Sequence, residues 1–272
     1  LVLGPRTLVM GVINVTPDSF SDGGVALDPH RAADLAVAME AAGADIIDVG
    51  AESTRPGATP VGTADELVRV RPVIQAIAAR VRVPISIDTY KSEVAELSMG
   101  EGASMVNDIS GLQYDPRLGT ITAARGVPIV LMHTRGRPQD MYAHAEYQDV
   151  VGEVAAGLQA AVARALAAGI ATGSILLDPG LGFAKRAAQS LAVLAGLERL
   201  TALGYPLLVG PSRKSFMTAS TGPLDPETRD WPTAAAVTAA ILGGAHIVRV
   251  HRVAEMVHVV RVADAIRDAS GA

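Results

Sequence analysis

Apolar residues in this chain fall into two alternating patterns: short unbroken runs, and longer stretches in which they recur every three or four positions. The runs read as buried strands and the periodic stretches as helices. Strands are expected over 8–13, 45–50, 84–88, 105–108, 128–132, 174–177, 206–209 and 246–250. Helices are expected over 29–43, 63–80, 91–100, 115–125, 148–169, 188–204, 214–219, 232–243 and 253–269. Asp28 before Pro29 reads as a helix N-cap, and Thr63 with Glu66 three residues on as a capping box. The first run changes abruptly at Asn14 into a loop of Ser, Asp, Gly and Pro, since Pro17 cannot continue a ladder. The plain reading is a strand and a turn; the sharper one is a strand that carries Asn14 to the floor of a site.

The runs and periodic stretches make eight strand–helix units, which implies parallel pairing and right-handed crossovers. Eight units over 272 residues fit a closed (β/α)8 barrel, a TIM barrel in the α/β class, with an open doubly wound sheet as the rival. No linker or shift in composition divides the chain, so 1–272 is expected to form a single domain.

Polar side chains arrive at the C-terminal end of each strand: Asn14; Glu52 with Thr54 and Arg55; Asp88; Asn107; His133; Asp178; Ser212 with Lys214; Arg249 with His251. In a barrel all these ends open on one rim. A lone Asp there is usually a helix cap. All eight units doing the same is better explained by one polar pocket. Asp88, Asn107 and Asp178 complement a flat heterocycle bearing an amino group beside a ring N–H. Lys214, Arg55, Arg249 and His251 supply positive charge for a phosphate or diphosphate. Asn14 offers a hard oxygen suited to Mg²⁺.

Composition narrows the partners. The formal charge is −5, so no general positive field exists to recruit nucleic acid or an anionic membrane, and an anionic ligand needs a local basic cluster. There is no cysteine, and aromatics are 3% of the chain, so the core is aliphatic. LVLGPRTLV lacks the pattern of a signal peptide, and no uniformly apolar stretch reaches membrane-spanning length. A cytoplasmic location is expected.

The segments MGVINVTPDSFSDGG, ESTRPGA, SIDTYKSEVA, MVNDISG, LMHTRGRPQDM, LDPGLGFAK, VGPSRKSF and IVRVH, in this order and over nearly the whole chain, resemble the dihydropteroate synthases. The resemblance implies an enzyme of folate biosynthesis that condenses p-aminobenzoate with (7,8-dihydropterin-6-yl)methyl diphosphate, gives 7,8-dihydropteroate and is a sulfonamide target. It implies that Asn14 binds Mg²⁺ and that Thr54, Asp88, Asn107, Asp178 and Lys214 hold the dihydropterin ring. Arg249, His251 and Arg55 would grip the diphosphate. Phe183, Ser215, Phe20 and Pro56 would line the p-aminobenzoate slot, and Asp22 would join Asp88 and Asp178 in favouring a cationic ring. A homodimer is implied, with Val257, Val259, Val260 and Val262 as one possible face. Ala51, Arg252 and Thr134-Arg135 depart from the family pattern without touching these positions. His133 reads equally as a structural histidine or a ligand and is left out of the site, the glycines beside Lys185 in DPGLGFAK read as shaping their loop, and the Arg135–Arg137 pair as a solvated loop. A pterin-binding methyltransferase-type barrel, an inactive pterin-binding homologue, and an aldolase using Lys214 as a Schiff base are the rival readings.

Overall fold

The computed structural model describes residues 2–16 and 28–270. Eight strands alternate with the helices: β1 Leu8–Asn14, β2 Ile46–Gly50, β3 Ile85–Asp88, β4 Met105–Asp108, β5 Ile129–Met132, β6 Ile175–Asp178, β7 Leu208–Val209 and β8 Ile247–Val250. The helices are α1 Pro29–Ala41, α2 Thr63–Ala78, α3 Ser92–Gly100, α4 Arg117–Arg125, α5 Val150–Ala167, α6 Ala187–Ala195, α7 Leu197–Thr201, α8 Thr218–Thr221, α9 Asp230–Leu242 and α10 Val253–Ser270. The sheet order is β6-β5-β4-β3-β2-β1-β8-β7, with every paired strand parallel. A bridge from Leu177 to Leu207 joins β6 to the approach of β7, so the sheet closes into the expected TIM barrel.

Strand side chains alternate between two apolar clusters, as the two-residue period requires. Val9, Ile13, Ile47, Val49, Ile87, Val106, Leu177 and Val248 belong to the large cluster shared with the helices. Leu8, Met10, Ile46, Met105, Val130, Leu176, Leu208 and Ile247 form a second cluster that fills the lumen. Two residues further along four of these strands, and so on the same face, stand Asp48, Asn107, Asp178 and Arg249. The polar site therefore rests directly on an apolar floor.

Gly11 lets the helical layer approach β1: a Cβ there would lie 2.8 Å from Met39 Sδ and 2.9 Å from Val253 Cγ2. The first strand is tied to the last helix where Asp264 accepts bonds from Thr7 N (2.9 Å) and Thr7 Oγ1 (2.7 Å). Among the described residues α5 alone is long and apolar enough to cross a membrane by length and composition. Here Val151, Val154, Leu158, Ala161, Val162 and Ala165 of that helix are buried in the core.

Asp28 caps α1 as expected, accepting from His30 N at 3.2 Å. The capping box at Thr63 is not formed, because Gly62 is the N-cap of α2 and the buried Glu66 side chain turns instead to Thr89 and Lys91. The helix expected over 188–204 breaks at Gly196, which ends α6 and begins α7. Of the four valines offered as a dimer face, Val257 and Val260 are buried in the core and Val259 packs partly against it, leaving only Val262 exposed.

Candidate active site

Asp48 is wholly buried in β2, and a charge there needs an opposite charge. Arg249 of β8 supplies it across the lumen: Nε reaches Asp48 Oδ2 at 2.6 Å, and one terminal nitrogen reaches Asp88 Oδ2 at 2.7 Å. Asn107 donates to the same Asp48 oxygen at 3.3 Å. Asp88 and Asn107 are neighbours in the β3–β4 register, so both stand at one height on the rim. Burial pushes the Asp88 carboxyl up to about 7, against the pull of Arg249 and reinforced by the charge of Asp48.

A second group faces this cluster. Asp178 ends β6, accepts from Gly180 N at 2.7 Å, and is raised by burial while Lys214, the Gly180 amide, Lys185 and Arg249 oppose the rise. Burial lowers Lys214 to about 8, with Asp178 and Asp88 resisting and Arg249 adding to the shift. The Lys214 ammonium lies 4.8 Å from the centre of the Phe183 ring. His251 differs from the cation expected of it. Burial first, then Arg249, Arg213, Arg55 and Lys214, push the imidazole down to about 3, so it is neutral. Ser212 Oγ accepts from His251 N (3.2 Å) and sits 2.9 Å from Nδ1. Assigned from that network, the hydroxyl donates to Nδ1 and Nε2 keeps its proton as a donor.

The loop after β2 is anchored at its base. Lys91 Nζ bonds Glu52 Oε2 (2.5 Å), Glu66 Oε2 (2.5 Å) and Val61 O (2.7 Å), and Tyr90 holds the other Glu52 oxygen. Its outer part crosses to the loop after β5 through Gly57 N and Pro138 O, 2.9 Å apart. Thr54 is half-buried on this loop and Arg55 and Pro56 are exposed; Ser215 is exposed beyond Lys214. Arg55 is near enough to act on His251. Phe20 and Asp22 lie outside the described residues. The Arg135–Arg137 pair is less free than a solvated loop: the guanidinium carbons lie 3.9 Å and 4.2 Å from the ring centres of Tyr147 and Tyr114.

Among the described residues no three His, Cys, Asp or Glu side chains converge as a metal cage. Asn14 stands half-buried at the end of β1, level in register with Gly50, which is itself level with Asp88. Its one neutral oxygen at the mouth of the pocket is a hard donor of the kind Mg²⁺ accepts alongside water. Sequence reasoning missed Asp48, although a charge inside the run IIDVG, on the face of Ile46, had to find a partner. It also set aside Lys185 and His133, which are buried against one another with Nζ and Nδ1 2.9 Å apart.

Residues 10–251 match the family described as pterin binding enzyme. The chain is 48% identical over 263 residues to the dihydropteroate synthase of a Synechocystis strain, covering 97% of this chain and 91% of that one. The crystal structure of Yersinia pestis dihydropteroate synthase in complex with a sulfonamide drug superposes with a TM-score of 0.92 at 41% identity, covering 98% of this chain and 99% of the other. Xanthomonas albilineans dihydropteroate synthase in complex with 7,8-dihydropteroate superposes at 0.87 with 39% identity, over 97% and 94% of the two chains. A barrel whose lumen ends in this ring of acids, amide and half-buried cations, matched over nearly its full length, belongs to the dihydropteroate synthase family of pterin-binding enzymes.

Proposed function

We propose that this transferase joins p-aminobenzoate to (7,8-dihydropterin-6-yl)methyl diphosphate, forming 7,8-dihydropteroate and releasing diphosphate. The observation that carries the reading is the pairing of opposite requirements in one lumen. Asp178, Asn107 and Asp88 offer the hydrogen-bonding edge for an aminated ring, and Lys214, Arg249 and His251 lie beside them for the carbonyl and the anion. In the reaction the bond from the exocyclic carbon to the diphosphate oxygen breaks, and its electron pair leaves with the diphosphate. The lone pair of the arylamine then forms the new C–N bond, and the ammonium proton passes to water.

The carboxylates of Asp88 and Asp178 would favour the positive charge that develops on the ring as the diphosphate departs. Arg249, the Nε2–H of neutral His251, and Arg55 would stabilise the leaving anion. Mg²⁺, held by Asn14 and the substrate phosphates, would neutralise charge on the same anion. Thr54 would complete the ring site. Phe183, Ser215 and Pro56, with Phe20, would line the arylamine slot, and Asp22 would assist at the ring. An arylamine is nucleophilic as it stands, so no Ser–His or Cys–His apparatus is required. A coupled assay should register diphosphate release only with both substrates and Mg²⁺. No release from the wild-type protein would overturn the reading.

A diphosphorylated substrate does not cross a membrane unaided, which favours a cytoplasmic setting. Trp231 and Leu242 of α9 and Val262 and Ile266 of α10 are exposed on neighbouring helices, a face suited to a second copy of the chain. Sedimentation should give a dimer that Trp231→Glu weakens; a wild-type monomer would remove this part.

A further inference from the structure

Lys185 is the largest wholly buried side chain among the described residues, and the chemistry above makes no use of it. Burial pushes its amine well below the ordinary lysine value while the Asp178 charge opposes the fall, and among the described residues no carboxylate pairs with it. It binds His133 Nδ1 at 2.9 Å, Gly180 O at 3.0 Å and Phe183 O at 3.0 Å, with His133 O further away at 3.3 Å. We propose that Lys185 is a positioning residue for the ring pocket: tied to His133, it sets the loop after β6 and through that loop the placement of Asp178 and Lys214. The inference rests on the pterin reading of the site.

Each acceptor sits where the loop touches the site. Gly180 gives its amide to Asp178 Oδ1 at 2.7 Å while its carbonyl is held by Lys185. It also crosses so close to β5 that a Cβ would lie 2.1 Å from His133 O, with φ at +68°, so only glycine fits. Phe183 closes the turn by donating its amide to Gly180 O at 3.0 Å, gives its carbonyl to Lys185, and lays its ring beneath Lys214. Ala184, between Phe183 and Lys185, holds a φ of +49°. A non-glycine residue keeps that conformation only where its surroundings impose it.

His133 is fitted to the task. Burial and the adjacent Lys185 charge push its imidazole down to about 2, which leaves a lone pair on Nδ1 for the ammonium. An apolar side chain at 185 would fill the space, leave the Phe183 carbonyl without this donor, and leave Gly180 O with the Phe183 amide alone. It would also remove a positive charge from beside Asp178.

Three variants test the assignment. Lys185→Met should raise hydrogen exchange across 179–185 in ligand-free protein and lower affinity for a dihydropterin by about tenfold or more. It should also move the acid limb of that affinity to higher pH, because Asp178 would then face only Lys214, Arg249 and the Gly180 amide as favourable partners. His133→Leu should reproduce the loss of affinity. His133→Asn sets an amide oxygen near the Nδ1 position and should stay within about threefold of wild type. Unchanged exchange at 179–185 in folded Lys185→Met would overturn the proposal. So would His133→Asn proving as damaging as His133→Leu, the comparison that decides if Lys185→Met does not fold. Wild-type protein that binds no pterin would instead overturn the reading of the site, while the ligand-free exchange still judges Lys185.

Discussion

At the scale of single residues, Arg249 works for both fold and site. It is the counter-charge that lets Asp48 stand fully buried in the lumen, and its second bond fixes Asp88 at the rim. Arg249→Met should therefore lower stability by about 3–5 kcal/mol as well as abolish turnover, because it strands a buried carboxylate. Chemical denaturation at neutral pH measures the first effect. Lys214 makes a second prediction. Its proton leaves at about pH 8 in the folded chain, against an ordinary value of 10.5. Between those values the unfolded chain binds the extra proton, so the contribution of Lys214 to stability rises with pH through that window. Function runs the other way: kcat/KM for the pterin diphosphate should fall as pH rises through about 8, and Lys214→Arg should lose that limb because a guanidinium keeps its charge.

At the scale of elements, the strands and their rim residues were legible because two rules coincide. Each strand is a buried apolar run, and each ends in a polar group that has to face the open end of a barrel. Asn107, Asp178 and Arg249 each lie two residues past an apolar lumen residue, at Met105, Leu176 and Ile247. Asp48 obeys the same spacing after Ile46 and was overlooked because Glu52, Thr54 and Arg55 lie more visibly past the end of the run. Other features were illegible for reasons outside local pattern. The Thr63–Glu66 spacing suggested a cap, but Glu66 is claimed by Lys91 on the next unit. Lys185 looked like a loop residue because its partners, His133, Gly180 and Phe183, gather only in three dimensions. Close packing of β1 is similarly tertiary. Gly11→Ala would press on Met39 and Val253, and a loss of about 1–3 kcal/mol should appear as a lower denaturation midpoint with an unchanged slope.

At the scale of the whole molecule, the barrel is a ring whose seam joins the first strand to the last. Beside that seam, Thr7 and Asp264 meet across 257 positions of sequence. Asp264→Ala would leave the buried Thr7 amide and hydroxyl without their acceptor, and should lower stability by about 1–3 kcal/mol in thermal or chemical unfolding. The electrostatic link between Asp48 and Arg249 spans 201 positions, and that between Asp88 and Arg249 spans 161. A chain made from its N-terminus thus presents both acids long before their cation exists. Until β8 arrives, sealing those carboxylates from water is opposed by their own hydration. Arrival of β8 therefore both completes the ring and supplies the one arginine that pairs with both acids.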